Sequence, residues 1–367
     1  MTVRIAVLGL GSVFTGPYRM RLQQLAQHGR VTVTRVYDPN PAKRAWAAQT
    51  FDCAVAANEA QLLGADDVDA VLVLTSMNEH AGLAIRALEN EKHVLVEKPM
   101  ATSLDDATRL LTAASATGRV LVCAPHILLS PTYREMHRRV HTGVIGTPVL
   151  ARARYGWSGP WWGPWFYRSG GGALFDLGVY NLTSLCGFLG SVRRVTAFAG
   201  TAISERSVDG EQVRVEAEDN AHVLLDFGDA RFASIMTGFT MQKYRSPAIE
   251  LYGTDGVLQL IGDDWAPEGF EQWRNESGVW ELVPEVEPDW PWTEGLAHLV
   301  DCVESGNAPV STPEHAFHAL EVMLGAQEAA RTGRVVEIRS TFPEVDYSVL
   351  PPVVTDRRAV HDARSRS

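Results

Sequence analysis

Three glycines, Gly170 to Gly172, lead into a helical stretch carrying Asp176 and Tyr180 four residues apart in SGGGALFDLGVYNLTSLCGFLG. In an α-helix that spacing stacks a carboxylate and a phenol on one face, aimed at one point. A phenol has an ordinary pKa of about 10, and a neighbouring ammonium stabilises the phenolate and brings it toward working pH. Such a pair can take a proton from an alcohol and orient the hydroxyl beside it, while the glycines leave the approach clear of side chains. Helix capping by Asp176 and core packing by Tyr180 is the other reading of the same residues.

The ammonium has a candidate in VLVEKPM, where Glu97, Lys98 and Pro99 emerge from a short apolar run. A lysine at such a strand end is partly desolvated and can hold a developing alkoxide, although many simply point to solvent. Earlier, VLGLGSVF sets Gly9 and Gly11 at the end of the first apolar run, followed by Ser12 and Val13. Two glycines there allow a tight turn that brings backbone N–H groups against a pyrophosphate. Phe14 stands where a third glycine would allow close helix packing, so the helix is expected to pack loosely on its strand and to start later, near Thr15 to Pro17. Asp38 ends the second run, where an acid holds the ribose hydroxyls of NAD; a turn or cap role is its alternative. Thr75 ends a further run and is expected to contact the cofactor, as are Glu97 and Lys98, and His80, just after Thr75, is expected to pack near the cofactor or to cap its helix.

These residues need elements to hold them. From residue 3 to about 123, the runs RIAVLGL, VTVTRVYD, DAVLVLT, KHVLVEKP and RVLVCAP alternate with helical stretches such as NEHAGLAIRALENE. Buried strands alternating with helices predict a parallel sheet covered on both faces, with ligands at the carboxyl ends of its strands. After about residue 145, EQVRVEAEDNAHVLLDFGDARFASIMTGF alternates as antiparallel strands do, with a turn at Gly228-Asp229. Two helices follow, the second with Ser311 and Glu314 spaced as a capping box, Pro313 in its first turn and Gly333 at its end. The expected fold class is therefore an α/β Rossmann domain over 1–125 and an α+β domain with an open antiparallel sheet over 126–345. The late helices, about 293–332, are expected to pack back on the first domain. Residues 346–367 are expected to form an extended tail, which from Pro351 lacks periodicity and reads as a flexible or partner-clasping arm.

Composition narrows the function. The 367 residues carry a formal charge of −11, so there is no basic stripe for nucleic acid. No apolar run reaches the roughly 20 residues of a membrane span, and the N-terminus is too short and glycine-rich for a signal peptide. The four cysteines lie scattered, without metal spacing, as expected of reduced thiols in a cytoplasmic protein that holds no metal.

Taken in order, GLGSV, Asp38, TSMNEHAGLAIRALENEKHVLVEKP and GGGALFDLGVY resemble the glucose–fructose oxidoreductase and inositol dehydrogenase family, Gfo/Idh/MocA, over roughly residues 3 to 335. The resemblance implies a dinucleotide-binding domain, a C-terminal half on an open antiparallel sheet, and hydride transfer between nicotinamide and a sugar or cyclitol carbon. It implies Lys98 as the catalytic lysine of the EKP motif, and Asp176 and Tyr180 as the catalytic pair of D-x-G-x-H/Y. It also implies sheets paired face to face in a homodimer or homotetramer. Many members have histidine where Tyr180 stands; tyrosine is closer to the glucose–fructose oxidoreductase and dihydrodiol dehydrogenase branch, which suggests NADP. Asp38 argues for NAD, since a carboxylate repels a 2′-phosphate.

Further contacts are expected from His126, after the strand that closes the first domain, either as a substrate contact or as a satisfied structural histidine. YGWSGPWWGPWFYRSGGG places Trp157, Trp162, Trp165 and Arg168 before the glycines, where aromatic faces can stack on pyranose C–H faces or seal a loop or oligomer contact. The sequence thus reads as an NAD-dependent oxidoreductase of a small sugar, glycoside or cyclitol. The alternatives are an NAD-dependent glycosidase, whose relatives tend to carry a histidine in the glycine run, and a non-catalytic dinucleotide sensor, which has no use for a proton relay.

Overall fold

The structure, a computed structural model, describes residues 2–245 and 247–353. The chain forms two compact units, one of residues up to His126 together with Thr293–Leu320, the other of Ile127–Trp292 and the chain from Glu321 onward.

The first unit is built on a six-stranded parallel sheet. Its strands are β1 (Val3–Leu8), β2 (Val31–Tyr37), β3 (Ala54–Val55), β4 (Ala70–Val73), β5 (His93–Val96) and β6 (Leu121–Cys123), in the order β3-β2-β1-β4-β5-β6. Ile5, Ala6 and Val7 of β1 and all of β4 are buried, as strands covered on both faces must be. The helices are α1 (Arg19–Gln27), α2 (Pro41–Phe51), α3 (Glu59–Leu63), α4 (His80–Glu89) and α5 (Leu104–Thr117). Local chemistry sets their ends. Asn40 caps α2 by accepting from the N–H groups of Ala42 and Lys43, and Ser103 caps α5 by accepting from that of Asp106. The order reverses between β1 and β4, and there the carboxyl ends of the strands open a crevice for ligand.

The first helix starts earlier than its sequence suggests. Helical backbone begins at Ser12 and passes through a π-helical turn, Phe14–Tyr18, before α1. Pro17 inside the turn has no N–H to donate, and the wider turn absorbs it. Phe14 is fully buried and packs against α2, its ring centroid 6.2 Å from that of Trp46 and 5.9 Å from that of Phe51. The bulky residue is thus housed beside the neighbouring helix.

The second unit carries a nine-stranded mixed sheet, ordered β16-β15-β14-β13-β7-β12-β11-β8-β17. Its strands are β7 (Pro148–Gly156), β8 (Arg194–Gly200), β11 (Asn220–Gly228), β12 (Arg231–Gly238), β13 (Ile249–Gly253), β14 (Gly256–Asp263), β15 (Ala266–Arg274), β16 (Val279–Pro284) and β17 (Val336–Glu337). A separate hairpin joins β9 (Glu205–Val208) to β10 (Glu211–Arg214). Pairing is antiparallel except between β7 and β12, which run parallel. The β11–β12 turn sits one residue later than the sequence suggests, with Asp229 and Ala230 at φ of 55° and 56°, as a two-residue I′ turn requires.

Alternation along these strands separates two faces. Ala151, Ala153, Val223, Leu225, Ala233 and Ile235 are buried on the face that carries α6 (Pro131–His141) and α7 (Val179–Leu189). The opposite face exposes Phe198, Leu224, Phe232 and Leu150 on adjacent strands, with Phe232 paired to Leu150. The helix Pro313–Thr332 is capped by Thr312, whose Oγ1 accepts from the His315 N–H at 3.3 Å, in place of the expected Ser311. The tail expected from residue 346 begins docked, the Tyr347 hydroxyl donating to the Leu128 carbonyl at 2.8 Å. The rest of that expectation, from residue 354, lies outside the described residues.

Candidate active site

In the first unit the expected cofactor residues come together at the strand ends. Gly9 has φ of +91°, and a Cβ there would fall 2.6 Å from the Leu74 carbonyl oxygen and 2.8 Å from the Thr75 nitrogen, so only glycine fits. A Cβ on Gly11 would meet nothing within 4 Å. This open space lies where the helix begins at Ser12 and Val13, whose first N–H groups have no partner within the helix. Asp38 is buried and braces the turn, one carboxylate oxygen accepting from the Leu10 N–H and the other from the Asn40 N–H, both at 2.8 Å. Each oxygen keeps a second lone pair for a ribose hydroxyl. The site fits an NAD-type dinucleotide: open room at Gly11, a helix N-terminus for phosphate, and a carboxylate beyond it.

Glu97 and Lys98 follow β5. Glu97 is turned inward and 7% exposed, one oxygen accepting from the Tyr18 hydroxyl at 2.9 Å and the other from the backbone N–H of Lys98 at 3.0 Å. Glu97 therefore shapes the turn that presents Lys98, which is half-buried. His126 is buried, its Nε2 3.4 Å from the same Tyr18 hydroxyl. Burial, with a smaller push from His298, lowers its pKa to about 3, so the ring is neutral. A Cβ on Gly295 would overlap that ring, so the backbone there packs directly on it.

In the second unit Leu174–Gly178 is a π-helical turn that runs into α7. Asp176 lies in the π turn and Tyr180 in the α-helix, so their four-residue spacing is not a regular α-helical one. Both gather about Tyr155, near the end of β7. The Tyr155 and Tyr180 rings meet edge to face, centroids 5.6 Å apart and planes at 84°. Burial, followed by the charges of Tyr180, Asp176, Asp263 and Tyr244, raises the Tyr155 pKa well above 10. Tyr155 is thus a phenol that stays protonated and can donate. Beside Tyr180 and one turn further along α7, Asn181 and Ser184 donate to the two oxygens of buried Asp264 at 2.8 and 2.7 Å, pinning the β14–β15 hairpin to this helix. Burial lifts the Asp264 pKa to about 6.

The glycine run serves packing more than access. A Cβ on Gly171 would strike the carbonyl oxygens of Trp165 and Phe166, at 2.5 and 2.6 Å, and one on Gly172 would strike the Glu218 carboxyl group. Glu218 also accepts from Gln327 Nε2 at 3.2 Å, and burial raises its pKa to about 7. The aromatic loop is rooted in a small core of Tyr167, Ala173, Leu177 and Phe239. Tyr167 donates to the Pro160 carbonyl at 2.6 Å, and the Arg206 guanidinium lies 5.3 Å from its ring centroid. Trp157 and Trp162 stack obliquely, centroids 5.7 Å apart, while Trp161 and Trp165 are exposed. Arg168 is exposed and lines a cavity of about 210 Å³ beside the β9–β10 hairpin.

Tyr155, Tyr18 and Glu218 escape the sequence reading. Tyr155 looks like one more residue in the alternation ARARYG, Tyr18 follows a proline, and Glu218 precedes a strand in AEDN. None carries a motif, and only the fold shows what each touches. Among the described residues, no group of three or more His, Cys, Asp or Glu is placed to hold a metal ion, and no helix is long and apolar enough to cross a membrane.

The geometry agrees with comparison to known proteins. Residues 3–124 match the oxidoreductase family with an NAD-binding Rossmann fold, and residues 133–259 match the GFO/IDH/MocA C-terminal domain. The chain is 31% identical to a dTDP-3,4-didehydro-2,6-dideoxy-alpha-D-glucose 3-reductase of Saccharopolyspora spinosa, over 70% of this chain and 74% of that one. It is 29% identical to a 1,5-anhydro-D-fructose reductase of Ensifer adhaerens, over 76% of this chain and 83% of that one. Among solved structures, GenD2 from gentamicin A biosynthesis in complex with NAD superposes with a TM-score of 0.77 at 26% identity, covering 92% of this chain and 97% of that one. With both halves matched and such relatives covered over most of their length, the chain belongs to the GFO/IDH/MocA oxidoreductases and is an NAD-binding enzyme of that family.

Proposed function

We propose that the protein is an NAD-dependent dehydrogenase or reductase acting on a secondary hydroxyl or keto carbon of a sugar, glycoside or cyclitol. The observation that carries this reading is the cluster of Tyr155, Tyr180 and Asp176 at the helix that follows the aromatic loop. Two phenols and a carboxylate suit a ligand rich in hydroxyls, and the nearby tryptophans suit its apolar C–H faces. The two relatives reported are both named as reductases of sugar-derived compounds.

In this reading Tyr180 takes the hydroxyl proton during oxidation and returns it during reduction. Lys98 lowers the pKa of Tyr180 and stabilises negative charge on the reacting oxygen. Asp176 accepts from a neighbouring substrate hydroxyl and fixes the ring, and Tyr155 donates to another polar group. Trp157, Trp162, Trp165 and Arg168 contribute to the outer substrate site. NAD, when bound, supplies hydride-transfer chemistry, held by Gly9, Gly11, Ser12, Val13, Asp38 and Thr75.

The same reading includes self-association. Phe198, Leu224, Phe232 and Leu150 make an apolar stripe across four adjacent strands, and a second copy would cover it in a homodimer or a dimer of dimers. A cytoplasmic setting fits the buried thiols of Cys123, Cys186 and Cys302.

The test is to denature purified protein, identify any released dinucleotide, and screen sugars, glycosides and cyclitols by NADH absorbance. Net NADH change with a member of this class is the expected result. Release of aglycone without net NADH would mark a glycosidase instead.

A further inference from the structure

The turn that carries Lys98 is held from both sides. On its N-terminal side the Lys98 N–H donates to Glu97, which Tyr18 braces. On its C-terminal side the Pro99 carbonyl oxygen lies 2.8 Å from Nδ1 of His80, the first residue of α4. The other ring nitrogen, Nε2, lies 3.1 Å from the Thr75 carbonyl oxygen. His80 is 1% exposed, so no solvent competes for either contact.

Both partners of the ring are acceptors, and a neutral imidazole has one N–H. Burial disfavours the imidazolium and lowers the His80 pKa; the two carbonyls and the Glu97 carboxylate oppose this, while Lys98 adds to it. A neutral ring therefore places its proton on Nδ1, where the contact is shorter. Thr75 in turn packs its nitrogen against Gly9. In that tautomer the ring donates to the Lys98 turn alone, while its Nε2 edge packs against the end of β4 beside the glycine turn.

We infer that His80 is a positioning residue, a buried neutral imidazole that donates from Nδ1 to the Pro99 carbonyl and so fixes the direction in which Lys98 leaves the backbone. Its importance for turnover rests on the role of Lys98 in the proposed function. The clamp itself is a property of the first unit and can be read without any substrate.

The chain has four lysines, Lys43, Lys92, Lys98 and Lys243, so reductive ¹³C-methylation gives few signals, and Lys98→Arg assigns the one of interest. In the unmodified protein ¹⁵N spectra should show His80 as the Nδ1–H tautomer, and the Lys98 methyl signal should stand apart from those of exposed lysines. His80→Leu, which removes the donor, should move that signal toward theirs and lower kcat about tenfold or more, with NADH affinity held within about threefold. His80→Asn, which keeps an N–H donor of similar reach, should restore most of both. An Nε2–H tautomer would overturn the inference, as would an unmoved Lys98 signal in folded His80→Leu, or NADH affinity falling in step with kcat in both variants. A displaced Lys98 signal in a protein that turns over no sugar, glycoside or cyclitol would uphold the clamp and refute the substrate assignment alone.

Discussion

The Tyr155 ring stands edge-on to that of Tyr180, centroids 5.6 Å apart, and burial raises the Tyr155 pKa well above its ordinary 10. Of the two phenols, Tyr155 is held as a donor. Tyr155→Phe keeps the ring and removes only the hydroxyl. It should raise KM by about tenfold and leave the pH dependence of kcat unchanged, since a group that stays protonated contributes no ionisation. Steady-state kinetics from pH 6 to about 9.5 would check this, and loss of the alkaline limb in the variant would count against it.

Glu218 and Gly172 make a second prediction, about stability. The Glu218 pKa is raised from 4.5 to about 7 by burial, so between those values the folded protein binds more protons than the unfolded chain. Stability should therefore fall as pH rises through this window and level off above it. Asp264, raised from 3.8 to about 6, acts in the same direction. Glu218→Gln removes the first contribution, worth about 1–3 kcal/mol after allowing for partial exposure. Urea melts at pH 4.5 and 8.5 should show the variant gaining on the parent at the higher pH only.

Asp38 has two roles to lose. Its carboxylate braces the Leu10 and Asn40 N–H groups, and in the proposed cofactor site it accepts from ribose and repels a 2′-phosphate. Asp38→Ala should weaken NADH by about tenfold and erode preference over NADPH, as titration by NADH fluorescence would show. Arg44 Nη1 donates to the Asp38 carbonyl at 2.7 Å, and the guanidinium lies over the Tyr37 ring. Tighter binding of NADPH than NADH by the unmodified protein would contradict this assignment.

The open face of the large sheet predicts assembly. Phe232 is 47% and Leu224 57% exposed, and both project from this face. Phe232→Arg with Leu224→Arg should give monomers, while the parent sediments or scatters light as a dimer or tetramer at micromolar concentration. A monomeric parent would refute the proposed interface.

Much of this architecture is legible in the sequence, for identifiable reasons. Short, mostly apolar runs ending at Gly9, Asp38, Thr75 and Lys98 and separated by helical stretches point to a covered parallel sheet, and the alternation around Val223 and Ile235 points to a sheet buried on one face. What periodicity misreads is local. It cannot show that Ser12 opens the first helix, because Pro17 looks like a helix start until a π turn accommodates it. It also suggests that glycines 170–172 clear a path for substrate, when Gly171 and Gly172 make room for backbone carbonyls and for Glu218. The meetings of Tyr155 with Tyr180, of Tyr18 with Glu97 and of His80 with the Pro99 carbonyl join residues distant in the chain, and no local pattern encodes them.

The central claim is that Tyr180 exchanges the substrate proton with help from Lys98. Single-turnover kinetics of NADH oxidation or formation with a substrate from the sugar, glycoside or cyclitol class test it most directly, on the parent, Tyr180→Phe, Lys98→Met and Asp176→Asn. Positioned proton transfer contributes about 10²–10⁴-fold, so Tyr180→Phe should slow the step by that order with NADH affinity nearly intact. Lys98→Met should slow it at least as much, and Asp176→Asn should chiefly raise KM. Near-normal turnover by Tyr180→Phe would contradict the account and move the proton to Lys98.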